Sequence, residues 1–96
     1  MPLHYLAGSL EERFQVDPIY RAAEIRVREL ERELDQSRQR IRELEDRFAS
    51  LDRSGDDRGA ARVRAQLDQQ RQKLSQTRAD LEQAWAARDA MLGKKS

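Results

Sequence analysis

The chain has 96 residues, 39% of them charged and 38% apolar, and its 19 basic and 18 acidic side chains leave a formal net charge of +1. That is one small domain with too little apolar surface for a broad globular core, so an elongated or oligomeric molecule is expected. Two prolines, four glycines and much Glu, Arg, Gln, Leu and Ala suit long helices; the lack of cysteine excludes a disulfide framework and thiolate chemistry, and no apolar run nears the roughly 18 residues of a membrane span. No secretory pattern opens the chain, so a cytoplasmic protein is the expectation.

Residues 1–16 form an arm with Leu3, Tyr5, Leu6, Leu10, Phe14 and Val16, in which Ser9 and Glu12 read as a capping box opening a short helix. Asp17 and Pro18 then supply a fresh N-cap and a proline at the first helical position, where its missing N–H costs nothing. From Tyr20 the apolar residues fall into heptads. Tyr20, Val27, Leu34, Ile41 and Phe48 take the a positions, and Ala23, Leu30, Ser37, Leu44 and Leu51 take d, with nine of the ten apolar.

A second series places Ala60, Leu67, Leu74, Leu81 and Arg88 at a, and Val63, Gln70, Thr77, Ala84 and Met91 at d. The 12 residues from Phe48 to Ala60 rotate the seam by about 120°, which no stutter or stammer explains and a chain reversal does. Gly55 and Gly59 flank the change, and Ser54, Asp56 and Asp57 bring turn and cap chemistry. Folding the chain back there pairs every a residue with a d residue whose number brings the sum to 111, and no layer is polar on both sides. The expected fold is all-α: an antiparallel two-helix coiled-coil hairpin with a short N-terminal helical arm, paired into a four-helix bundle. Its parts are an arm over 1–16, a helix over 17–53, a turn over 54–59, a helix over 60–92 and a disordered tail over 93–96. Across the flanks, Glu31 is expected to reach Arg78 and Glu45 to reach Arg64, with Arg38 facing Arg71.

A lone hairpin buries little, so a second hairpin or the arm should cover it. Aromatic residues crowd the open end, and Leu10, Phe14, Tyr20, Ile25, Trp85, Met91 and Leu92 are the candidate partner-binding residues. Trp85 is out of pattern at an e position whose earlier counterparts are Arg78, Arg71 and Arg64, and Glu24 is its expected neighbour across the hairpin. These features predict a non-catalytic interaction or oligomerisation module that docks a partner helix, the partners being itself, as a homodimer, and an unidentified protein. No nucleophile, base and orienting group can be assembled, so no enzyme activity, cofactor or small-molecule substrate is expected. His4 stands without companions for a metal site.

The alternative is a nucleic-acid or transcription-machinery binder, through an arginine stripe of Arg38, Arg64, Arg71 and Arg78 or through an acidic tip of Asp56 and Asp57. A net charge of +1 and interleaved acids disfavour the stripe. Asp56 and Asp57 on a coiled-coil turn are similar to the acidic tip by which Gre-type transcript-cleavage factors reach a catalytic metal, but those factors' surrounding motif and second domain have no counterpart here. Trp85 lies in "EQAWAARDA", within the second helix, and not in a turn as in the small secreted W-x-G proteins. A charged helical hairpin is similar in plan to the stalk proteins of type III and flagellar export systems, which gives a further alternative: an export stalk or chaperone-like hairpin.

Overall fold

The computed structural model describes residues 17–93, which form two long helices and, among those residues, no strand: α1, Pro18–Arg53, and α2, Asp57–Met91. At 1.5 Å per residue each is about 54 Å long, and they pack antiparallel against each other along their length. The start of α1 is the one the sequence predicts. Asp17 is extended, its Oδ1 accepts a hydrogen bond from the Ile19 N–H at 2.8 Å, and Pro18 occupies the first turn.

Between the helices the chain reverses in three residues. The Gly55 N–H donates to the Asp52 carbonyl at 3.1 Å and the Asp56 N–H to the Leu51 carbonyl at 3.0 Å, the paired bonds of a Schellman motif. Gly55 stands at φ +78°, the left-handed conformation this motif requires of the residue after the cap. Ser54 Oγ adds a bond to the Leu51 carbonyl at 3.0 Å. Asp56 then caps α2, its Oδ1 accepting from the Gly59 N–H at 2.9 Å.

The turn is therefore 54–56, shorter than the predicted 54–59, because Asp56 caps a helix that is already under way at Asp57. Gly59 belongs to that helix's first turn, and a Cβ there would lie 2.5 Å from Asp56 Oδ2, so its small size makes room for the cap. The far end of α2 also falls one residue short of the predicted 92: Leu92 is the C-cap, and Gly93 follows at φ +72°. The arm over 1–16, with His4, and the last three residues of the predicted tail lie outside the described residues.

All twenty predicted a and d residues are buried or half-buried. The packing follows the expected register in two apolar clusters. Val27, Leu30, Leu34 and Leu81, with Leu74 and Ala84, fill the half toward the open end. Leu44, Val63 and Leu67, with Ile41, Phe48 and Leu51, fill the half toward the turn. Each buried leucine contributes about 2 kcal/mol. Between the clusters run the layers holding Ser37, Gln70 and Thr77; Ser37 and Thr77 are buried, and no buried side-chain N or O among the described residues lacks a hydrogen-bond partner. No helix among the described residues is long and apolar enough to cross a membrane.

Candidate interaction surface

Two rows of e-position residues flank the seam on one side of the hairpin: Glu24, Glu31, Arg38 and Glu45 on α1, and Arg64, Arg71, Arg78 and Trp85 on α2. The predicted pairing of Glu45 with Arg64 is not made. Glu45 Oε2 instead accepts from Arg71 Nη2 at 3.1 Å, and the Arg64 guanidinium lies over the Phe48 ring, 6.0 Å from its centroid. No Glu31–Arg78 ion pair forms either. The cause is the tilt of Cα–Cβ bonds toward each helix's own N-terminus. On α2 that direction is toward the turn and on α1 it is away from it, so Glu45 meets the α2 residue one heptad, about two helical turns, beyond its level partner.

The same lean moves Trp85. It lines an open groove of about 400 Å³ with Leu81 on its own helix and Glu31, Leu34, Asp35 and Arg38 across the hairpin. Glu24, its predicted neighbour, is engaged elsewhere: Glu24 Oε1 accepts from Arg88 Nη1 at 3.1 Å. Arg88 sits at a seam position and is half-buried. Desolvation alone would lower its pKa, but the hydrogen bond and charge of Glu24, followed by Asp89 and Tyr20, hold it above the ordinary arginine value. A second groove on the same side is lined by Glu45, Phe48, Arg64, Leu67 and Arg71. The opposite side offers a more polar one, between Gln36, Ser37, Gln39, Arg40, Glu43, Gln70 and Lys73.

The predicted partner-binding residues do not form a single patch. Leu10 and Phe14 lie outside the described residues. Tyr20 and Leu92 are already buried within the chain, at 1% and 8% exposure, and Met91 is half-buried. Ile25 is exposed, but at an f position on the outer side of α1, whereas Trp85, 38% exposed, is on the e side. Periodicity puts Trp85 on the e side; the residues that share its groove, Asp35 and Leu34 among them, follow only once side-chain lean is included.

The predicted arginine stripe does share this side, yet it is partly engaged: Arg71 by Glu45, Arg64 by Phe48. Beside it on α2 the b positions are acidic at Asp68, Glu82 and Asp89. At the tip, Asp56 is occupied as a cap and Asp57 opens the helix. Among the described residues no group of His, Cys, Asp and Glu is placed to hold a metal ion. No protein-family model, curated protein or solved structure matches the chain.

Proposed function

We propose that the chain is a non-catalytic helical interaction module that docks a helix, from another protein or from a second copy, along the Trp85 side of the hairpin. The observation that carries this reading is Trp85 itself: a large ring, 38% exposed, at the edge of an open groove whose rim holds both signs of charge in Glu31, Asp35 and Arg38. Aromatic side chains in such settings are the usual anchors of helix-in-groove recognition, with flanking charges setting register. Pairing of two hairpins into a four-helix bundle belongs to the same reading. The arginine stripe supports a nucleic-acid reading less well, since acids adjoin it on both helices.

Affinity capture from the native organism with the intact chain and with Trp85→Ala tests the docking. A protein retained by the first and lost by the second, at unchanged helicity, supports it. Equal capture by both removes Trp85 from the site.

A further inference from the structure

The two aromatic residues at a positions of α1 mark the two ends of the seam, and they are buried to different degrees. Phe48 lies one layer from the turn, where the chain closes on itself, and is half-buried. Tyr20 lies in the outermost layer with Met91, where the two helices end, and is 1% exposed. Leu92 lies farther out still, past the last residue of α2 and at an e position outside the seam, yet it is only 8% exposed. The other e residues of α2, Arg64, Arg71, Arg78 and Trp85, are all exposed. In a two-helix hairpin each side chain has one facing helix to pack on, so burial should fall toward the free end. Here it rises.

Burial of this kind within a single chain needs a third segment over the open end. The cover is on one side: Leu92 shares the e side with Trp85, whereas Ile19, at a g position on the opposite side, is 71% exposed. Outside the hairpin the sequence offers two segments. Residues 94–96 are Lys94, Lys95 and Ser96, with no apolar side chain. Residues 1–16 carry Leu3, Leu6, Leu10 and Phe14 at spacings of three, four and four, which is one stripe of a helix. Asp17 precedes a proline and stands at ψ 124°, so these residues cannot prolong α1 as one straight helix.

We infer that residues 1–16 dock back onto the Trp85 side at the open end, with Leu10 and Phe14 over Tyr20 and Leu92. The inference goes beyond the partner reading and holds whether or not Trp85 meets another protein. Phe14 is three residues from Asp17 and Leu10 seven, about 5 and 10 Å along a helix, which is the reach needed to cover the outermost layer. Trp85 is seven residues from Leu92, again about 10 Å, so a 16-residue segment is long enough to pass Leu92 and meet the near rim of the groove. The docked arm closes the outer end of that groove and leaves the stretch from Trp85 toward the turn for a docking helix.

Two measurements on the full-length chain test this. Leu10→Asp with Phe14→Asp puts carboxylates where the cover is apolar and should speed amide exchange at Met91 and Leu92 by about tenfold or more, with Leu44 and Leu67 unchanged. In the unaltered chain, the Leu92 methyl protons should show nuclear Overhauser contacts with the side chains of Leu10 or Phe14. In an equal mixture of isotope-labelled and unlabelled chains, those contacts should stay within one chain. Unchanged exchange at Met91 and Leu92 overturns the inference, as does the absence of the Overhauser contacts, a result that does not depend on any variant folding. Contacts between labelled and unlabelled chains overturn it as well, because the cover is then the arm of a second copy. Capture of a partner through Trp85 is measured separately and can survive each of those results.

Discussion

The two ends of the hairpin use the same heptad pattern and dispose of their polar groups in opposite ways. At the turn, Ser54, Gly55, Asp56 and Gly59 satisfy one another and the helix ends through bonds of 2.9 to 3.1 Å. At the open end the seam itself admits a charge, Arg88, and the exposed large apolar side chains of the hairpin, Ile19, Ile25 and Trp85, all belong to that half. A short closed turn leaves its acids with local work, whereas the open end keeps surface that folding of the hairpin does not use. That contrast is why the docking proposal rests on the Trp85 end and not on the acidic tip.

The largest test compares the two cores. Leu44 near the turn and Leu30 toward the open end are 1% and 2% exposed, so each change to alanine should lower unfolding free energy by about 2–5 kcal/mol. Chemical denaturation of both variants measures the difference. Equal losses mean that the halves are equally well packed; a loss at Leu30 under half that at Leu44 means that the open end relaxes around the cavity.

Smaller effects separate the ends more sharply. Gly55→Ala forces a left-handed residue into the Schellman turn and should cost about 1 kcal/mol. Gly93→Ala, at a similar φ but beyond the last turn of α2, should cost less, because Gly93 does not join two helices as Gly55 does. Similar melting shifts for the two would show the turn to be no more constrained than the terminus.

The ion pairs extend the comparison. Glu24–Arg88 and Glu45–Arg71 are both 3.1 Å long, but the side chains of the first pair are 26% and 28% exposed and those of the second about 50%. Glu24→Gln should therefore cost up to about 1 kcal/mol and Glu45→Gln a few tenths. Repeating the melts in about 1 M salt should shrink both losses, the exposed pair's almost to nothing. A larger loss at Glu45 would contradict the ranking by burial.

Much of this fold is legible in the sequence because heptad spacing encodes it: the seam, the chain reversal and the cap at Asp17 all follow from residue type and position. The turn's length does not, since two glycines look like brackets of a loop until Gly59 is seen making room for the Asp56 cap. Nor does flank pairing, because heptad letters fix where a Cβ starts and not the direction its side chain takes. Arg71 reaches Glu45 and not the Arg38 level with it, and Trp85 lines its groove with Leu34, Asp35 and Arg38 and not with Glu24. Of the residues expected at the partner surface, Ile25 and Trp85 stay exposed, while Tyr20 and Leu92 are taken into the chain's own core. Residue type marks a side chain as apolar and leaves open which apolar surface covers it.

The smallest expected effect bears on the tip. Asp56 caps α2 through a single carboxylate oxygen to the Gly59 N–H, and Asp57 stands in the first turn, where a negative charge favours the helix dipole slightly. Asparagine keeps the capping oxygen, so Asp56→Asn with Asp57→Asn should change stability by no more than a few tenths of a kcal/mol, whereas Asp56→Ala removes the acceptor and should cost about 1 kcal/mol. The contrast matters because a tip that works by charge would respond to the asparagine pair, and a tip that works by capping would respond only to alanine. Thermal melts of the two variants, set beside partner capture by each, separate these outcomes. Capture lost with the asparagine pair at an unchanged melting temperature would move the functional end of the hairpin from Trp85 to the turn.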